Sequence, residues 1–151
     1  DLNMFESTKA LSINSHETVL RISSNGKNPA QELKSLIQSL ELKQIPFPQL
    51  LETEVNSEGT HFLITGPQEI IQAIKAELPS QTRYSLEKQE LSTVTLTCTG
   101  ITSPEMTTCV LTTLQTANLH FVRLFTSAMS IHLLVNKNER QEVIQALHSL
   151  I

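Results

Sequence analysis

The sequence predicts an α+β fold made of two similar modules, each with an antiparallel sheet and helices on one of its faces. Residues 93–99 alternate between threonine and apolar side chains, which is the period of a half-buried strand. A helix follows from Pro104, and two further β-rich segments come after it, at residues 119–125 and 129–135. A strand, a helix and a close pair of strands are the opening of a ferredoxin-like unit.

An internal repeat is the second observation, because the first half of the chain has the same order of predicted elements as the second. Residues 69–74, Glu-Ile-Ile-Gln-Ala-Ile, match residues 142–147, Glu-Val-Ile-Gln-Ala-Leu, at four of six positions. Pro29 and Pro104 stand at similar places before the helices of the two halves. Two copies of a β-α-β-β-α module are the simplest explanation.

The first half begins with two strand candidates, residues 8–14 and 17–23, followed by turn-forming residues at 24–29. The next helix is predicted from an apolar stripe with the spacing i, i+3, i+4 and i+7, formed by Leu33, Leu36, Ile37 and Leu40. A strand at 45–51 contains two prolines, which have no backbone N–H. We therefore expect this strand to lie at a sheet edge, to be bulged or to be short.

A hairpin, a helix and a strand complete the first half. A turn at 56–59 precedes a strand at 60–65, whose inward residues are predicted to be Phe62 and Ile64. A helix opens at Gly66-Pro67, and its apolar stripe is Ile70, Ile71, Ile74 and Leu78. A last strand at 82–86 comes before a charged connector at 87–90.

The second half lacks a closing strand of its own. Ser103 is predicted to cap the helix that starts at Pro104, and a final helix is predicted at 138–150. We expect strand 8–14 to complete the second sheet, since this leaves neither an orphan strand nor an incomplete sheet. The predicted organisation is a linker at residues 1–7, a first module at 16–88, and a second module made of 8–15 together with 92–151.

Charge and hydropathy argue against two classes of partner. Eleven basic against fifteen acidic residues give a net charge of −4 without a basic cluster, which argues against nucleic acid as a ligand. No apolar run approaches the roughly 18 residues of a membrane span, and no signal peptide is evident. Cys98 and Cys109 fall on predicted core faces, as free thiols of a reducing compartment do. These observations predict a cytoplasmic protein with no membrane partner.

No catalytic constellation stands out. None of the four glycines belongs to a phosphate-binding motif, the five histidines have no metal-ligand spacing, and Asp1 is the only aspartate. We predict no catalytic residue, metal site or cofactor in this chain, with a small stand-alone enzyme as an alternative. The strand-to-helix turns 25–31 and 102–107 are better candidates, because a helix N-terminus can bind a small carboxylate. From physical chemistry alone, the simpler interpretation is that both turns are capped helix starts and nothing more.

An ordered set of short motifs resembles the regulatory region of aspartate kinases. The motifs are Val94-Thr-Leu-Thr, Gly100-Ile, Pro104, Leu111-xx-Leu114, Ala117-Asn-Leu119, Thr126-Ser127, Ile131 and Ala146-Leu-His148. The first half fits more loosely, for example through Glu58-Gly-Thr60. The resemblance covers residues 8–151 and implies two tandem ACT domains, which are βαββαβ ferredoxin-like modules that bind amino acids where modules meet.

The resemblance also implies a kinase domain outside this chain, which phosphorylates aspartate with ATP and magnesium on the route to lysine, threonine and methionine. The chain itself would then be no enzyme and would hold no cofactor. It would act as an allosteric region that pairs with a second copy and with the kinase domain, and that binds an effector such as lysine or threonine. The alternative is a structural dimerisation module whose effector site has degenerated.

The implied effector site combines residues of opposing modules: Asn28, Pro29, Ala30, Gln31, Glu52 and Thr53 from one, and Met106, Thr107, Thr126 and Ser127 from the other. This sequence departs from the family pattern there, since a glycine that lets the backbone approach the ligand is missing from both turns. Ala128 also replaces the family's glutamate. Glu32 and Glu105, near the two helix starts, would repel a ligand carboxylate.

Overall fold

The computed structural model of the chain describes residues 10–99 and 104–151. Its strands are β1 (Ala10–His16), β2 (Val19–Ser24), β3 (Gln49–Asn56), β4 (Gly59–Thr65), β5 (Tyr84–Gln89), β6 (Leu91–Cys98), β7 (Arg123–Ser127) and β8 (Ser130–Asn136). Its α-helices are α1 (Pro29–Leu42), α2 (Gln68–Glu77), α3 (Pro104–Thr116) and α4 (Arg140–Leu147). Short 3-10 turns follow α2 and flank α4. The predicted linker at 1–7 and the predicted cap Ser103 lie outside the described residues.

The strands form two four-stranded antiparallel sheets of matching topology. One has the order β3-β4-β2-β5 and the other the order β7-β8-β6-β1. Each sheet and its two helices form a compact unit, Thr18–Glu90 in one case and residues 10–17 with Leu91–Ile151 in the other. The fourth position is filled by β5, the last strand of the first unit, but by β1, the first of the described strands, in the second unit. The prediction of two ferredoxin-like, ACT-type modules is confirmed.

The unit Thr18–Glu90 packs both helices on one face of its sheet. Every second residue of β2 and β4 points into this core, and the helices contribute residues one turn apart, so that Leu20, Ile22, Phe62, Ile64, Leu36, Leu40, Ile71 and Ile74 are buried together. The predicted inward residues Phe62 and Ile64 are confirmed. The period-2 pattern of the strands and the 3.6-residue period of the helices therefore meet in one core.

The other unit is built in the same way from β6, β8, α3 and α4. Its buried cluster includes Val94, Leu96, Ile131, Leu133, Val110, Leu114, Val143 and Leu147. The buried position of Cys98 is confirmed, but the prediction for Cys109 is wrong, because this thiol is exposed. Val110 and Leu114 define the buried face of α3, and the residue before Val110 is rotated by about 100° around the helix axis.

All eight predicted strands differ from the observed ones by one or more residues at their ends, and three of these differences have a clear structural reason. β3 starts at Gln49, after both prolines, and its edge position and its register shift between Leu50 and Glu52 agree with the predicted edge or bulge. β5 continues to Gln89, into the predicted charged connector, and its backbone pairs with β2 as far as Val19. The strand predicted at 119–125 is shorter and later. Asn118 adopts a left-handed φ of 54° that ends α3, so the chain reaches the sheet edge only at Arg123.

Candidate functional site

The turn between β2 and α1 places a helix N-terminus at the end of a sheet. Asn28 caps the helix, since its Oδ1 accepts a hydrogen bond of 3.2 Å from the backbone N–H of Gln31. Pro29 occupies the first helical position, where its missing N–H costs nothing. The side chains of residues 28–31 are exposed. This start follows from the local sequence alone.

Glu32 folds back into this turn. Its side chain is only 7% exposed, and it forms an ion pair with Arg83, whose Nη2 lies 2.8 Å and 2.9 Å from the two carboxylate oxygens. The hydroxyl of Ser24, at the end of β2, donates a hydrogen bond of 2.8 Å to the same carboxylate. The guanidinium group of Arg83 also lies 5.8 Å from the ring centre of Tyr84. The charge near the start of α1 is therefore turned inward.

The electrostatics of this cluster favour the ionised pair. The hydrogen bond from Ser24, followed by those from Arg83 and by one from the backbone of Gly26, lowers the pKa of the Glu32 carboxyl below its ordinary value. The hydrogen bond to Glu32 in turn raises the pKa of the Arg83 guanidinium. Both groups stay charged at neutral pH.

The β3–β4 hairpin supports the turn from the other side. The hydroxyl of Thr60 donates a hydrogen bond of 2.7 Å to the carbonyl oxygen of Gly26. Gly59 has a φ of +134°, and a Cβ there would collide with the backbone of Ser24 and Asn25. A Cβ on Gly26 would instead collide with the Glu32 carboxylate. The turn is thus packed on both sides, and neither glycine can be replaced without displacing a neighbour.

A polar depression of about 320 Å³ lies beside this turn, on the sheet face away from the helices, and includes Ser23 and His61 in its lining. His61 Nε2 lies 3.0 Å from Asn56 Oδ1, and Ser23 Oγ lies 2.7 Å from His61 Nδ1. Because Asn56 Oδ1 also accepts from the backbone N–H of Glu58, the ring must donate through Nε2 and accept from Ser23 through Nδ1.

Such a hydroxyl–imidazole pair is of the type used in nucleophilic catalysis. It joins β2 and β4, however, and each of these strands is paired on both sides, so that backbone N–H groups needed for an oxyanion are already bonded. The Ser23–His61–Asn56 chain links β2, β4 and β3 through their side chains.

The register of the first sheet separates two of the predicted effector residues from the turn. Thr53 pairs with Phe62, which pairs with Ile22, and Glu52 lies one position further from the end of β2. Two residues of strand correspond to about 7 Å, and β4 lies between β3 and β2. The structure therefore does not bring Glu52 and Thr53 next to Asn28, Pro29, Ala30 and Gln31.

The second unit brings its four predicted residues to one end of its sheet. Ser127 pairs with Ser130, which pairs with Thr97 near the end of β6, so the hairpin lies at the end where β6 leads towards α3. Thr126 and Ser127 are exposed there. Met106 and Thr107 lie in the first turn of α3, where Met106 packs against the core. Residues 100–103, which connect β6 to α3, lie outside the described part of the chain.

Sequence reasoning missed Ser24 and Arg83 as partners of Glu32 at the first turn. It placed Glu32 near the helix start as a repelling charge, whereas its carboxylate is buried and paired. A signal was present, because Glu32 is four residues before Leu36 and eight before Leu40, which puts it on the buried stripe of α1. A charge on a buried stripe requires a partner of opposite charge nearby.

Two kinds of feature are absent from residues 10–99 and 104–151. Within these ranges no group of three or more His, Cys, Asp or Glu side chains could hold a metal ion. None of the helices there is long and apolar enough to cross a membrane.

The fold is similar to that of aspartate kinase regulatory regions. The ligand-free regulatory subunit of aspartate kinase from Thermus thermophilus matches 95% of this chain over 99% of its own length, with a TM-score of 0.61 and 13% identity. Aspartokinase III from E. coli, solved with aspartate and ADP, matches 96% of this chain with a TM-score of 0.57 and 12% identity. This chain spans 34% of that enzyme.

A third similar structure is VC0802 from Vibrio cholerae, a protein of unknown function described as a possible transport protein. It matches 99% of this chain over 94% of its own length, with a TM-score of 0.54 and 19% identity. No protein-family model matches the sequence, and a search of curated proteins finds no match. At these identities the likeness establishes the fold alone.

Proposed function

We propose that this chain is the regulatory region of an aspartate kinase, and that it binds a small amino acid and transmits this binding to a kinase domain. The observation that carries the proposal is the pair of ferredoxin-like units, whose fold matches a regulatory subunit of aspartate kinase over nearly the full length of both chains. The motif resemblance between residues 94 and 148 points to the same family independently. Fold by itself does not determine function.

The effector would be an amino acid of the lysine or threonine type, and it would favour one of two arrangements of the units. Met106, Thr107, Thr126 and Ser127 lie at one end of the second sheet and are the residues we favour for contacting it. The chain would carry no cofactor of its own. ATP and magnesium would act in the cytoplasmic kinase domain, on aspartate.

A thermal-shift titration of the chain with L-lysine, L-threonine and L-methionine tests this proposal. Binding to the folded state stabilises it by mass action, by about 2.7 kcal/mol at a ligand concentration a hundredfold above the dissociation constant. We expect one L-amino acid to raise the melting temperature and its D-enantiomer to have no effect. No rise with any amino acid would contradict an effector role.

A pair of serine variants locates the effector. Ser127 is the last residue of β7, Ser57 lies in the β3–β4 turn, and both side chains are exposed, one in each unit. Ser127→Ala is expected to weaken amino acid binding about tenfold, through loss of one hydrogen bond, while Ser57→Ala leaves the binding unchanged. Equal effects of the two substitutions would exclude the β7–β8 hairpin as the binding region.

A structural dimerisation module is the second candidate, and a specific observation favours it. Edge strand β7 and the residues flanking it expose four large apolar side chains, Phe121, Val122, Phe125 and Met129. An apolar edge strand is a template for pairing with a second copy. This role is compatible with effector binding, and it would remain if the titration gave no response.

A further inference from the structure

The donors around Glu32 converge on a single carboxylate. The hydroxyl of Ser24, the backbone of Gly26 and the guanidinium group of Arg83 all direct hydrogen bonds to it. We call these three donors the carboxylate site. They belong to three different segments, namely the end of β2, the β2–α1 turn and the turn just before β5, and only the fold brings them together.

The site has room for one carboxylate only. Ser24 and Glu32 are 3% and 5% exposed, and a Cβ on Gly26 would lie 2.7 Å from Glu32 Oε1 and even closer to the rest of the carboxylate. A free ligand carboxylate could accept from the same hydroxyl of Ser24, backbone of Gly26 and Nη2 of Arg83 only by displacing the Glu32 side chain. Such a displacement would leave Glu32 without the partners that stabilise its charge.

The structure assigns Glu32 as an intramolecular occupant of a carboxylate-binding site at the β2–α1 turn, so that this turn does not bind the carboxylate of a free amino acid. The site itself follows from the geometry of one unit. Its consequence, that an effector has to bind at the second unit, rests on the proposed function.

Glu32→Ala tests the site directly with acetate as the probe. The substitution removes the CH₂–COO⁻ group and leaves a space of the size and charge preference of acetate, lined by Ser24, Gly26 and Arg83. We expect the variant to melt at a lower temperature than the wild type. We expect acetate at ten times its dissociation constant to raise that temperature by about 5 °C, with sodium chloride as the ionic-strength control.

Two controls separate specific rescue from a general effect of the anion. Glu69→Ala removes an exposed glutamate from the first turn of α2 in the same unit, and acetate should not stabilise it beyond its effect on the wild type. In Glu32→Ala/Arg83→Gln the rescue should disappear, because a principal donor is gone. An equal response to acetate in Glu32→Ala, Glu69→Ala and the wild type would overturn the assignment.

If Glu32→Ala does not fold in chloride, the variant is refolded in acetate instead. Recovery of a cooperative melt in acetate, and its loss when Arg83 is also replaced, would support the site. Glu32→Gln provides a second measurement, since it keeps the side-chain volume and fills the site with a neutral amide. Acetate should not stabilise this variant beyond its effect on the wild type. A rescue as large as that of Glu32→Ala would overturn the assignment.

Amino acid binding is measured separately, on the chain with Glu32 intact. If an amino acid binds, Arg83→Gln should leave its affinity unchanged, because the turn takes no part. Loss of binding in a folded Arg83→Gln variant would show that the ligand does use this turn, and would overturn the assignment. Acetate rescue of Glu32→Ala without any amino acid binding to the wild type would uphold the site and contradict the proposed function.

Discussion

Glu32 shows how the orientation of a charged side chain can depend on residues that are close in space but distant in sequence. A glutamate in the first turn of a helix is favourable for the helix dipole wherever it points. On α1 it also lies on the buried stripe, so its charge requires partners, and Ser24 and Arg83 supply them. The local sequence permits either orientation, and the distant arginine decides between them.

The pH dependence of stability should report the Glu32–Arg83 pair. Because the pKa of Glu32 is lowered in the folded state, its stabilisation is present in full above the unfolded value of 4.5 and is lost as the pH falls through the folded value. Glu32→Gln should therefore be less stable than the wild type by about 2 kcal/mol at pH 7, and this difference should shrink below pH 4.5. Urea unfolding at several pH values measures it. A difference that is constant down to pH 3 would contradict the prediction.

Gln44 carries a local strain at the point where α1 ends, where its N–H and that of Ile45 bond the carbonyl oxygens of Glu41 and Leu40. Its φ of 57° lies in the left-handed region, directly after α1, where an L-residue with a Cβ is disfavoured. Gln44→Gly should stabilise the chain by about 0.5–1 kcal/mol, and Gln44→Val should destabilise it by a similar amount. Thermal melts of both variants check the sign, and Gln44→Ala, which keeps a Cβ at the same φ, is the control and should change stability little.

At the scale of elements, the two sheets differ at the corresponding edge strands β3 and β7. β3 is an edge strand with a register shift, and it carries Glu52 and Glu54, features that oppose pairing with another chain. β7 is the corresponding edge of the other sheet, and it exposes Phe125 instead. The two related strands are therefore expected to behave differently towards a second copy.

Matched lysine substitutions on the two edges test this difference. Phe125→Lys places a charge on β7, and we expect it to weaken self-association about tenfold, since a charge opposes edge pairing and removes an apolar anchor. Val55→Lys places the same charge on β3, where 44% of the valine is exposed, and should leave self-association unchanged. Sedimentation velocity over a range of concentrations measures both variants. Equal effects would mean that β7 is not the pairing edge.

At the scale of the whole molecule, β1 makes the two units unequal. The unit Thr18–Glu90 is continuous in sequence, whereas the other unit takes its edge strand from residues 10–16, paired with β6 from Thr93 to Cys98. The loss of β1 would uncover a strand edge and part of the core around Ala10. Folding of the second unit therefore depends on a segment that is distant in sequence.

Fragments of the chain should show this inequality. Residues 18–90 are expected to melt cooperatively on their own, while residues 91–151 are expected to lack a cooperative transition until a peptide of residues 1–17 is added. Far-ultraviolet circular dichroism measures both. A scrambled peptide of the same composition is the control, and a cooperative melt of residues 91–151 alone would contradict the prediction.

Local pattern determined most of the elements of this protein. The alternation at 93–99, the apolar stripes of the helices and the repeat of 69–74 at 142–147 were sufficient for two ferredoxin-like modules, because the periods of strands and helices are properties of short segments. Two predictions failed: Cys109 is exposed because it lies off the buried face of α3, and β7 starts late because α3 ends with the left-handed Asn118.

Only the tertiary structure determined which group occupies the β2–α1 turn. The sequence by itself determined a capped helix start at Asn28 and Pro29, since capping involves residues close together in the chain. The occupation of that turn depends on Arg83, 51 residues after Glu32, and on a sheet register that places Glu52 and Thr53 away from it. Buried charges and strand registers are settled by contacts between distant segments, and these contacts exist only once the chain has folded.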